Sequence, residues 1–250
     1  MNKKIIGILG GMGPAATADL FTKIINSTEA SCDQDHLHVI IDSNTNIPDR
    51  TEALIHGGAD PTEQMTQSAR RLAEAGAELI VMPCNTAHGF YDAVCASVPV
   101  PVLHMIKLTA EELMRHEITR AGLLATDGTV QSGIYETCFA GSGIELITPS
   151  PEAQAAVMDL TYNGVKAGRL DFDTSGFEKA VNELFDKGAQ TLILGCTELS
   201  VINRSLEHDP RLVDSTEALA YYAIGLCGKT PTGFPSEFSI WKPEYEKRCP

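Results

Sequence analysis

The sequence predicts an α/β fold of two similar domains, each a parallel sheet flanked by helices, with the functional site in the cleft between them. Three observations predict it. Short apolar runs alternate with longer helical patterns, as parallel strands joined by crossover helices require. The pattern occurs twice, 77 residues separating Gly7 from Cys84 and 74 separating Gly122 from Cys196. Each half ends a strand in a cysteine followed by small polar residues, Pro83-Cys84-Asn85-Thr86 and Gly195-Cys196-Thr197-Glu198.

Strands are expected at 4–9, 38–41, 78–82, 120–125, 145–147 and 191–194, with weaker ones near Val102 and Leu212. Pro14, after Gly10-Gly11-Met12-Gly13, suits the first turn of a helix. Asp60-Pro61-Thr62-Glu63 reads as N-cap, N1 proline and N3 glutamate of a helix to about Ala75. A helix over 216–226 crosses back to the first half, which sets the domains at 1–107 plus 216–250, and 108–215. The tail from Gly228, around Trp241, reads as irregular and surface-hugging. In such sheets, ligands bind beyond the C-terminal ends of the strands.

Composition narrows the function. The 250 residues are 43% hydrophobic and 21% charged, enough for a packed core, and their net charge is −14. A chain this acidic does not dock on nucleic acid or anionic lipid through its average field, and no apolar run approaches a membrane span. Seven widely spaced cysteines without a CxxC read as reduced thiols. The apolar stretch 5–9 is shorter than the about 7–15 residues of a secretory core, so it is expected to be a first strand of a cytoplasmic protein.

Cys32, Cys95, Cys138, Cys227 and Cys249 read as small packing residues. Cys84 and Cys196 differ, because each precedes an expected helix N-terminus, which would lower a thiol pKa from about 8.5. Two such thiols facing one ligand are the acid/base pair that inversion at a carbon needs. Zinc is the rival reading, with Cys84, His88 and Cys196 as ligands, but no fourth ligand stands at a recognisable spacing. Gly11-x-Gly13-x-x-Ala16, with Asp42 ending the next strand, fits a loose dinucleotide fingerprint. Against it, Pro14 fills a phosphate-turn position and Asp42 lies 29 residues past Gly13. Arg50 lies in a loop beyond the second strand, where a guanidinium suits a carboxylate partner. His88 is expected to form a local helix-turn hydrogen bond.

The stretches GILGGMGPAATADLF, NIPDRT, MPCNTAH and LGCTEL resemble the aspartate/glutamate racemase family, nearest its aspartate racemase branch, over roughly residues 1–225. The resemblance implies two similar α/β domains and a homodimeric isomerase that interconverts L- and D-aspartate, with glutamate a further candidate, by two-thiol proton transfer without a cofactor. Carried over by position, Cys84 and Cys196 are the acid/base pair, Cys196 taking the proton from the L-substrate and Cys84 from the D-substrate. Asn85, Thr86 and Thr197 hold the α-carboxylate, Arg50 and Lys166 recognise the side-chain carboxylate, and Met12, Thr126 and Thr129 line the pocket. Glutamate racemases are similar to DSGxGG at the first turn and GCTH at the second cysteine, where this chain has Gly10-Gly11-Met12-Gly13 and Glu198. Two other readings stand beside this one: a dicarboxylate- or amino-acid-binding protein without turnover, and a nucleotide-dependent oxidoreductase.

Overall fold

The computed structural model describes residues 3–169, 171–203 and 211–233. In the first half, β1 (Ile6–Gly10) leads into α1 (Pro14–Asn26), β2 (Val39–Ser43), α2 (Arg50–Ile55), α3 (Thr62–Glu74) and β3 (Leu79–Val81). A 3-10 turn (Thr86–Phe90), α4 (Tyr91–Ala96) and α5 (Met105–Arg115) follow. The second half runs β4 (Arg120–Leu124), α6 (Asp127–Gln131), α7 (Ile134–Phe139), β5 (Glu145–Ile147) and α8 (Pro151–Asp159). A π-helical turn (Leu160–Val165) leads to α9 (Ser175–Asp186), β6 (Thr191–Leu194), α10 (Thr197–Asn203), β7 (Leu212–Asp214) and α11 (Ser215–Leu226).

The sheets are parallel throughout, ordered β2-β1-β3 and β5-β4-β6-β7. The repeat read from the sequence is therefore a repeat of topology, with β1, β2 and β3 matched by β4, β5 and β6. Val102 contributes only an isolated bridge to Ile80, whereas the weak run at Leu212 is a true edge strand. Helices cover both faces of each sheet, because strand residues alternate between two apolar clusters. Ile6 and Ile8 pack with α11, and Leu9 and Ile80 pack with α3. In the second sheet, Ala121 and Leu123 face α5 and α7, while Leu124 and Leu192 face α8 and α9. Burying each of these Ile and Leu side chains contributes about 1.5–3 kcal/mol.

Several local expectations shift slightly. Pro14 does open α1, after Gly13 in extended conformation. Helix α3 starts at Thr62, one residue later than the proline pattern suggests, although the Asp60 carboxylate accepts from the Thr62 N–H at 2.8 Å. Arg50 opens a short helix instead of lying in a loop, because Asp49 caps it through the N–H groups of Thr51 and Glu52. Helix α11 returns to the first half and packs against β1, β3 and α5. The start of the tail pairs with the end of α1 through Glu29 N–H to Thr230 O and Thr232 N–H to Ser27 O. Trp241 and Cys249 lie outside the described residues.

Candidate active site

The loops that follow β1, β2, β3, β4 and β6 meet between the halves, at the C-terminal strand ends, where parallel sheets place their ligands. They enclose a cavity of about 10 Å³ lined by Met12, Asp49, Arg50, Thr51, Cys84, Asn85, Thr86, Thr126, Lys166, Cys196, Thr197 and Glu198. Every site residue carried over from the racemase resemblance lines it except Thr129. That residue sits one contact behind, its hydroxyl 2.8 Å from the Thr86 hydroxyl. Roughly 10–15 Å³ is the space of one water molecule, so the cleft is closed and an amino acid requires it to open.

Contacts across the halves hold it closed. Thr86 reaches Thr126 at 3.0 Å, Thr51 reaches Thr126 at 3.5 Å, and the Thr197 hydroxyl donates to the Pro83 carbonyl at 3.2 Å. Gly128 makes the approach possible, since a Cβ there would stand 2.7 Å from the Thr51 Cα. Behind the cavity, Asn85 donates to Ser215 at 3.1 Å and accepts from the Tyr135 hydroxyl at 2.7 Å. Its side-chain amide thus already braces the second half.

Cys84 and Cys196 are both buried and correspond within the repeat, yet their neighbours differ. His88 donates through Nδ1 to the Cys84 carbonyl at 2.8 Å and accepts through Nε2 from the Met105 N–H at 3.1 Å. This is the expected local bond, and it leaves neither ring nitrogen for zinc. Arg50 comes to Cys84 from α2; burial opposes its charge, but the Cys84 sulfur and Asp49 outweigh that and raise its pKa. Its terminal nitrogens donate to the carbonyls of Ile47, Pro48 and Met12 at 3.3, 2.9 and 3.0 Å. Only Nε of this guanidinium has no partner.

Cys196 donates from Sγ to Glu198 Oε2 at 3.0 Å. Burial, reinforced by the Glu198 charge, pushes the Cys196 thiol well above its ordinary range. The lowered pKa expected from a helix N-terminus is therefore reversed at this cysteine, because desolvation and an adjacent carboxylate outweigh the dipole. Lys166 lies 3.9 Å over the Tyr162 ring and 3.5 Å from Asp49. Desolvation opposes its charge, but Glu198, Tyr162, Cys196 and Asp49 together raise its pKa. Neither thiol adjoins a cation in sequence, yet folding brings Arg50 to Cys84 and Lys166 to the side of Cys196.

The glycines of the first turn serve the fold. Gly11 has φ of 89°, and its Cα lies so near the Asn44 backbone that a Cβ would stand 2.4 Å away. Among the described residues, no group of three or more His, Cys, Asp or Glu is arranged to hold a metal ion.

A family model described as Asp/Glu/Hydantoin racemase matches residues 9–223, spanning both halves and both cysteines. The chain belongs to this racemase family. It is 32% identical to the aspartate racemase of Picrophilus torridus, with a TM-score of 0.84 over 94% of this chain and 98% of that one. It is 29% identical to the broad specificity amino-acid racemase RacX of Bacillus subtilis strain 168, over 86% of this chain and 95% of the relative. Glutamate racemase from Francisella tularensis shares the fold at 18% identity, with a TM-score of 0.63 over 90% of this chain and 81% of that one. As a member of a racemase family, the protein is an isomerase, and its two-sheet α/β architecture is that of these structures.

Asp49, Thr51 and Glu198 also line the cavity of this racemase and are not among the site residues expected from the sequence. Asp49 carried a signal, being an N-cap type three residues before Glu52. Glu198 carried another, since a residue two past a strand-ending cysteine, in the first turn of a helix, folds back over the sulfur.

Proposed function

We propose that the protein interconverts L- and D-aspartate without a cofactor, each thiol serving one face of Cα. The carrying observation is the pair of buried thiols at equivalent strand ends of the two halves, lining one cavity with a cation beside each. Cys84 takes the proton from the D-enantiomer while the Cys196 thiol donates to the opposite face; the L-enantiomer uses the reverse roles. The α-proton is a very weak acid, so the charge developing on Cα and its carboxylate must meet preorganised donors away from water. The hydroxyls of Thr86 and Thr126 supply them by rotating from each other toward the α-carboxylate, with Thr129 behind them bonding Thr86. Thr197 and the N–H groups beside Asn85 complete that pocket. Arg50 and Lys166 set the positive field for the distal carboxylate. Similarity to the Picrophilus aspartate racemase supports aspartate over glutamate, as does Glu198 in place of the histidine of the GCTH pattern. The reading includes a cytoplasmic homodimer.

The test is incubation of the purified protein with L-aspartate in deuterated water with a metal chelator and no additive. Racemisation with deuterium at Cα supports the proposal, and faster turnover of glutamate would reassign the substrate. Binding without exchange makes the protein a binding protein, and activity only with a nicotinamide makes it an oxidoreductase. Light scattering checks the dimer.

A further inference from the structure

Two buried polar atoms of the cavity wall lack a partner, Arg50 Nε and Glu198 Oε1. One is a donor fixed in a cation and the other an acceptor on a carboxylate, the complement of a zwitterion. A buried carboxylate oxygen left unpaired costs free energy in the empty site, a cost that a ligand N–H removes on binding. Glu198 is 4% exposed, and its other oxygen accepts from the Cys196 thiol at 3.0 Å. An acceptor on Oε1 is thereby held beside the sulfur that is to face Cα, one bond from which the substrate nitrogen must lie. Gly13 lies against Oε1, where a Cβ would stand only 3.2 Å away, so a side chain at that position would crowd the oxygen.

The other acidic residue of the wall is committed. Asp49 accepts from the N–H groups of Thr51 and Glu52 and from the Tyr162 hydroxyl, and pairs with Lys166 at 3.5 Å. Glu198 already faces the charges of Lys166 and Arg50, but its Oε1 accepts no hydrogen bond and is the carboxylate oxygen open to an ammonium N–H. Resting on the reading of the site as one for an acidic amino acid, we propose that Glu198 is the specificity residue that binds the substrate α-ammonium. It would select α-amino dicarboxylates over dicarboxylates of the same length, such as succinate, that lack the amine. Held there, the ammonium also keeps a positive charge next to the carbon that loses its proton, which favours the carbanion.

Calorimetric titration with equilibrated DL-aspartate, which undergoes no net turnover, and with succinate tests this directly. The parent is expected to bind aspartate at least tenfold more tightly than succinate. Glu198→Gln, isosteric and neutral, should lose tenfold or more in aspartate affinity while binding succinate as well as the parent or better. Glu198→Asp, which keeps the charge, should retain part of the preference, and circular dichroism verifies that both variants fold. Equal weakening toward both ligands, or an unchanged preference in Glu198→Gln, overturns the ammonium subsite and leaves Glu198 as a partner of the Cys196 thiol. A parent that binds succinate as tightly as aspartate overturns it as well, even if Cα exchange proceeds. Absence of Cα exchange in the parent, with the preference intact, sinks the racemisation reading and leaves the subsite standing.

Discussion

Cys84 and Cys196 occupy equivalent places in the repeat, but one sulfur adjoins a guanidinium and the other a carboxylate. The difference has a measurable consequence. A thiolate, not a thiol, is alkylated, so iodoacetamide should label Cys196 slowly until the pH exceeds the ordinary thiol range. Mass spectrometry of pH-stepped reactions checks this; saturation of Cys196 by pH 8 would mean that burial and Glu198 do not hold its proton. The asymmetry cannot appear in kcat/KM, which must be equal for the two enantiomers at every pH because their equilibrium constant is one. It must appear in kcat and KM separately. Arg50 permits a second test. Arg50→Lys keeps a charge but cannot bond three backbone carbonyls at once, so kcat/KM should fall by about 2 kcal/mol or more of transition-state binding. Unchanged kinetics would place Arg50 outside the reaction.

At the scale of elements, the site depends on how closely α2 and α6 approach. Gly128→Ala places a methyl group against the Thr51 backbone, which cannot move aside as a side chain can. We expect the cleft to close incompletely and kcat to fall at least tenfold, with a melting temperature within a few degrees of the parent; wild-type kcat would show that this approach is dispensable. The turn after β3 has its own signature. Burial pushes the His88 imidazole down to about 4, so the fold favours its neutral form. That contribution, about 3 kcal/mol, is fully present above about pH 6.5 and is lost as pH falls toward 4. Urea midpoints should therefore drop less between pH 7 and 4.5 in His88→Gln than in the parent; identical drops would remove His88 as the cause. These elements were unequally legible. The Ile, Val and Leu runs of β1, β3, β4 and β6 announce buried parallel strands, whereas Val102 lies in an equally apolar segment but forms one bridge. Helix α2 was missed because six residues give too few turns for a periodic pattern, and only the cap at Asp49 marks it.

For the molecule as a whole, the internal repeat made the cleft and its two thiols legible, since matching strand ends must face each other across the domain boundary. The cations beside the thiols were not legible, because Arg50 reaches from the start of α2 and Lys166 from the end of the π-helical turn, and no spacing encodes that contact. Nor were the threonine contacts between halves that shut the cleft down to a 10 Å³ cavity, although the need to keep water from a weakly acidic α-proton already called for a closing cleft. Substrate entry must separate these contacts. The segment 46–51, tied down by Arg50 to the Met12 carbonyl, is the natural moving part. Hydrogen exchange there should slow when a non-reactive dicarboxylate is bound; equal exchange in both states would exclude it as a lid. The central claim, one thiol for each face of the substrate, is tested most directly by Cα deuterium incorporation in the two single serine variants, each given each enantiomer. Cys84→Ser should lose racemisation yet still exchange the α-proton of L-aspartate, and Cys196→Ser should exchange only that of D-aspartate. If both variants exchange both enantiomers as the parent does, the two-thiol account is wrong.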